Sequence, residues 1–134
     1  MSREKELHRL RSHASSNDVI THHFAAAVPF RRILRNALLA FLPLTKDAGY
    51  LVGLSKDSIL ILTLSGLNRD RGLVTIPAQN IVDIRVSRGS LRTKVRIATA
   101  TAVYDMRIGH LGLAHGAREA LDALATFPRG VAHT

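Results

Sequence analysis

The chain is predicted to form an α+β, mainly β domain in which short antiparallel strands are closed by one C-terminal helix. Three observations predict this. Short apolar runs at residues 50–54 and 59–64 flank a polar turn. Residues 81–86 and 91–98 alternate with the period of two of a half-buried strand. Residues 113–127 change to a helical stripe, which Pro128 and Gly130 end. Strands that follow one another without intervening helices argue against a parallel sheet.

Taken in order, residues 1–16 are a charged N-terminal arm, a short frayed helix or a disordered segment in which only Leu7 and Leu10 stand at helical spacing. A single domain is expected over residues 17–130, with a short tail at 131–134. Residues 18–28 carry Val19, Ile20, Thr21 and Phe24, which favour strand, and then three alanines, which favour helix. Residues 30–42 read as an amphipathic helix: Phe30, Ile33, Leu34, Ala37, Leu38 and Phe41 fall in one stripe at about 100° per residue. Arg31, Arg32 and Arg35 lie on its other side with Leu39 among them, and Pro43 stops it.

After Lys46-Asp47-Ala48-Gly49 the chain is β-rich. Residues 50–54 and 59–64 form a hairpin across Ser55-Lys56-Asp57-Ser58. Residues 66–72 are a glycine-bounded polar loop, and 73–76 a brief strand ended by Pro77. In 81–86 the alternation places Val82, Ile84 and Val86 on one face and Asp83, Arg85 and Ser87 on the other. In 91–98 it places Leu91, Thr93, Val95 and Ile97 opposite Arg92, Lys94 and Arg96. Residues 102–108 are the expected partner strand, with Val103 and Met106 on opposite faces. The final helical stripe is Leu113, Ala117, Ala120, Leu121, Leu124 and Phe127.

With 134 residues the chain can enclose one core. Its 46% apolar and 22% charged residues are ordinary for a globular domain, whereas 19 Lys and Arg against 10 Asp and Glu give a net charge of +9. That balance points to an anionic partner: nucleic acid, an acidic lipid surface or an acidic protein. The lack of cysteine excludes disulfides and thiolate chemistry. The longest apolar run, 37–44, is far short of the roughly 20 residues a membrane-spanning helix needs. The acidic, apolar-poor start does not read as a signal peptide, so a cytoplasmic location is expected, with peripheral membrane placement as the alternative.

Three segments carry a family resemblance: Tyr-Leu-Val-Gly-Leu-Ser-Lys-Asp-Ser-Ile-Leu-Ile-Leu at 50–62, Ile-Pro-Ala-Gln-Asn-Ile at 76–81, and Arg-Gly-Ser-Leu-Arg-Thr-Lys-Val-Arg-Ile at 88–97. In order and in several residues the chain resembles the bacterial pleckstrin-homology-like (PH-like) domains over about residues 49–127. The resemblance implies a seven-stranded, strongly bent antiparallel barrel, or two bent sheets, capped by the C-terminal helix and used for binding and not catalysis. Helix 30–42 would then be an insertion or an N-terminal addition. Lipid-binding relatives carry basic residues around the first hairpin; here that hairpin has only Lys56, beside Asp57, so phosphoinositide recognition is not carried over.

The strongest local signal is a basic hairpin, Arg85, Arg88, Arg92, Lys94 and Arg96, with no acid between Ile84 and Asp105. Such a patch suits an anion or an acidic lipid headgroup through charge-assisted hydrogen bonds. Equally, it suits a solvated strand face whose charges discourage edge pairing. Phe30, Arg31, Arg32, Arg35, Leu38, Leu39 and Phe41 define a second candidate, a membrane or interface helix, for which packing on its own domain or a neighbouring subunit is the commoner use.

His22 and His23 are adjacent and point apart on a strand, and His110 and His115 miss the helical facing interval, so no metal is expected. No nucleophile elbow, phosphate-binding glycine loop or His-Glu-x-x-His motif is present, so neither catalysis nor a small-molecule cofactor is expected. Trp is absent and aromatic residues are few, which disfavours base stacking. The expected function is therefore a PH-like binding or assembly module acting through protein contacts as a homo-oligomer. Peripheral binding to anionic membranes is the alternative, and non-specific nucleic-acid binding a second one.

Overall fold

In the computed structural model, which describes residues 3–14, 19–27, 47–65, 70–89, 92–109 and 117–128, seven antiparallel strands form one sheet flanked by two helices. Helix α1 spans Arg3–His13. The strands are β1 (His22–Ala27), β2 (Asp47–Leu54), β3 (Ser58–Ser65), β4 (Asp70–Pro77), β5 (Ile81–Arg88), β6 (Arg92–Thr99) and β7 (Val103–Gly109). A 3-10 turn at Ala78–Asn80 links β4 to β5, and helix α2 spans Arg118–Ala125. Residues 30–42 lie outside the described residues, as do Leu91 and Leu113.

The strand order is β4-β3-β2-β1-β7-β6-β5. The sheet bends until inward side chains of both halves share one core: Phe24, Val52 and Ile61 from the first half, Val95, Ile97 and Met106 from the second. Burial of each such side chain contributes about 1.5–3 kcal/mol. Tyr50 and Tyr104 meet edge to face across the halves, ring centroids 6.3 Å apart. Closure into a barrel, expected from the family resemblance, does not occur. The sheet ends at β4 and β5, which are consecutive yet unpaired. Pro77 offers no N–H, and the 3-10 turn that follows redirects the chain at the corner. Among the described residues, the two halves are joined by the register pair Ala27 and Arg107.

Helix α2 seats Ala120, Leu121 and Leu124 in the core, with Ala117 and Phe127 buried at its ends, so the expected stripe is its packed face. It lies against β1, β2 and β5. The alanines bring its backbone close to the sheet, where a larger side chain would hold it away.

Residues 59–62 form an unbroken apolar run because β3 is covered on both sides. Ile59 and Ile61 face the main core. Leu62 and Leu64 face outward into a second cluster with Leu51, Ile20 and Leu10. Leu10 belongs to α1 and is fully buried. The segment read as a charged arm is thus, over Arg3–His13, a helix docked on the outer face of β1 and β2, where Leu10 joins Leu62 and Leu64 of β3. An isolated helix of 11 residues is marginal in water, so the docking contacts supply much of its stability. Polar anchors reinforce it: Arg9 Nε donates to Asp70 Oδ1 at 3.0 Å, and His13 Nε2 lies 2.7 Å from Asp70 Oδ2. Burial works against the Asp70 charge, but the hydrogen bonds and charges of His13 and Arg9 outweigh it and hold the carboxyl below its usual range.

Two strand readings change. The segment 66–72 was expected to be loop, but β4 begins at Asp70. Its register against β3 slips between Thr63 and Leu64, next to Gly72, whose φ of 141° favours glycine. In β5, register against β6 slips between Ile81 and Asp83. The extra residue turns Val82 outward, 46% exposed, while Ile81 and Ile84 both enter the core. Simple alternation, which grouped Val82 with Ile84, fails at this bulge.

Candidate basic sheet face

The outer face of β5, β6 and β7 is built by alternation once the bulge is passed. In β6, Thr93, Val95 and Ile97 are buried and Arg92, Lys94 and Arg96 exposed, as the sequence pattern predicts. In β7, Met106 and Ile108 point in, leaving Val103, Asp105 and Arg107 on the outer side. In β5, Arg85 and Ser87 share that side.

Register then sets which side chains stand together. One lateral row is Arg85, Arg96 and Asp105; the next is Ser87, Lys94 and Arg107; Arg92 stands opposite Gly109 at the hairpin end. The first row is largely self-neutralised. Arg85 Nε lies 2.7 Å from Asp83 Oδ2, and Arg96 Nε 3.1 Å from Asp105 Oδ1. Among the described residues, no carboxylate pairs with Arg92, Lys94 or Arg107. Between the rows is a shallow depression of about 330 Å³ lined by Arg85, Ser87, Lys94, Arg96, Asp105 and Arg107.

Of the sequence candidates, Arg85, Arg92, Lys94 and Arg96 thus come together on one face, but Arg88 does not join them. It pairs in register with the buried Thr93, so it stands on the opposite side of β5 and forms an ion pair with Asp122 of α2. The odd-even count from Arg85 puts the two arginines on opposite faces. Arg107 belongs to the patch although sequence reading missed it. Its signal was present in the alternation of Val103, Asp105 and Arg107, but its place beside Lys94 depends on the β6–β7 register. Phe30, Arg31, Arg32, Arg35, Leu38, Leu39 and Phe41 lie outside the described residues.

The hairpin end is fixed sterically: Gly89 N donates to Arg92 O at 3.0 Å, and a Cβ on Gly89 would sit 2.9 Å from that oxygen. At the other histidine pair, His23 is buried with its Nε2 3.8 Å from Glu6 Oε1 of α1, and His22 lies beside Thr21. Among the described residues no three His, Asp or Glu side chains gather as a metal site would require, and no helix is long and apolar enough to cross a membrane.

Comparison of the chain with family models, with curated proteins and with solved structures returns no match.

Proposed function

We propose that the chain is a non-catalytic binding module of the PH-like kind that docks an acidic protein partner on the outer face of β5, β6 and β7. The observation that carries this reading is the gathering of Arg85, Arg92, Lys94, Arg96 and Arg107 from three strands onto one exposed face. The strand order and the helix laid on the core side support the PH-like assignment. A protein partner fits better than a membrane because the cations are interspersed with fixed carboxylates, Asp83 and Asp105. These repel a uniformly negative leaflet but orient arginines toward a discrete acidic patch. Membrane-binding faces also carry aromatic or long apolar anchors, and among the described residues the exposed large apolar side chains of this face are Val82 and Val103. Neither tyrosine of the core faces outward to stack on bases.

The test is binding of a Glu-rich peptide, followed by fluorescence anisotropy at rising salt. Binding should weaken as salt screens it and be lost in the variant Arg85→Glu, Lys94→Glu, Arg107→Glu. Undiminished binding by that variant, or binding to phosphatidylserine vesicles in preference to the peptide, overturns the reading. Homo-oligomerisation, which the sequence attaches to residues 30–42, belongs to the same proposal. Light scattering reads it, and a monomer across the micromolar range removes it.

A further inference from the structure

On a face crowded with cations, only some are free to meet a ligand. Arg85 and Arg96 already have carboxylate partners, so both cations of their row are occupied. The next row, Ser87, Lys94 and Arg107, runs laterally across three adjacent strands, and among the described residues it holds no acid. Directly opposed side chains on neighbouring antiparallel strands have Cβ atoms about 4.5–5.5 Å apart, and like charges there are destabilising. Lys94 and Arg107 are such a pair. Their repulsion is relieved when one anion sits between their head groups.

We infer that the row Ser87, Lys94 and Arg107 is a seat for a phosphomonoester, carried as a phosphorylated side chain by the acidic protein partner. This rests on the reading of the basic face given above. The charge and donor inventory selects the group. A phosphomonoester brings a charge of about −1.5 to −2 and three acceptor oxygens. Lys94 and Arg107 supply two positive charges and multiple N–H donors, and Ser87 supplies a hydroxyl. A single carboxylate would leave one of the two cations uncompensated. The depression beside the row, about 330 Å³, is at the small end of ligand pockets and open to a side chain arriving from outside. Arg92, two residues from Lys94 on the same face and opposite the side-chain-free Gly109, is placed for an acidic residue neighbouring the phosphate.

The test is a titration monitored by backbone amide NMR with four probes: a neutral Gly/Ala peptide bearing one phosphoserine, the same peptide with Ser, the same with Glu, and phosphatidic acid vesicles. The phosphopeptide should move the amides of Ser87, Lys94 and Arg107 most. Lys94→Ala and Arg107→Ala should each weaken it about tenfold, as expected for loss of a charge-assisted hydrogen bond. Arg88→Ala, which removes a cation of the same hairpin from the opposite side of β5, should change it less than about twofold. Inference and parent reading fail separately. If Glu-rich peptides bind this face but phosphoserine binds no better than Glu, or Arg88→Ala costs as much as Lys94→Ala, the phosphate seat is wrong and the acidic-partner reading stands. Tighter binding to phosphatidic acid vesicles than to the phosphopeptide at equal phosphate concentration overturns the protein-borne source. If neither acidic nor phosphorylated peptides bind at low salt, both readings fall.

Discussion

Lys94 of β6 and Arg107 of β7 face one another across an antiparallel register pair, and among the described residues neither has a carboxylate partner. Two like charges in this position store repulsion in the unliganded fold. Lys94→Gln should therefore raise the unfolding free energy by about 0.2–0.5 kcal/mol while weakening anion binding. Urea denaturation at low salt measures the gain, and high salt should abolish it. A loss of stability on this substitution would mean the pair is not repulsive.

Asp70 links α1 to β4 through Arg9 and His13. Its carboxyl is held below the ordinary value of 3.8, so in the folded state it binds its proton less readily than in the unfolded chain. The contribution is accordingly present above that ordinary value and lost as pH falls through the lower folded value. Asp70→Asn should reduce stability at neutral pH by about 0.5–1 kcal/mol and flatten the acid side of the stability profile. Equal loss at every pH would contradict the linkage.

Leu10 is fully buried but belongs to a small cluster on the outside of the sheet. Leu10→Ala should cost about 2 kcal/mol, the low end for a buried leucine, because the helix can detach where a core element cannot. Hydrogen exchange checks it. The amides of α1 should lose protection while those of β5, β6 and β7 keep theirs. Uniform loss would show that α1 is integral to the core.

Gly89 and Gly109 form a matched pair of tests at the same end of the basic hairpin. A Cβ at Gly89 would meet the Arg92 carbonyl oxygen, whereas one at Gly109 meets nothing within 4 Å among the described residues. Gly89→Ala should cost about 1–3 kcal/mol as an overpacking change, and Gly109→Ala should be within about 0.5 kcal/mol of neutral. Thermal melts compare the two directly.

Much of the sheet was legible locally. The hairpin around Ser55 is closed by backbone and side-chain hydrogen bonds to Ser58, chemistry that its polar turn announces. The alternation of β6 survives unchanged because the strand is regular and half-buried. Legibility stopped where one residue too many entered a strand, as at Val82. A bulge exchanges the two faces without altering composition. It stopped also at α1, whose two leucines look too few to bury until the leucines of β2 and β3 supply the other half of the cluster.

The basic hairpin stands in the sequence as five cations without an acid among them, and periodicity alone places Arg92, Lys94 and Arg96 on the exposed side of one strand. That much follows from the backbone, since side chains in a strand must alternate. Tertiary structure decided the rest. It sent Arg88 to Asp122 on the other face, brought Arg107 beside Lys94, and let Asp83 and Asp105 neutralise one row while leaving the next charged. Charge is local to a residue, but compensation depends on which strand lies alongside and in which register, and pairing between strands fixes that.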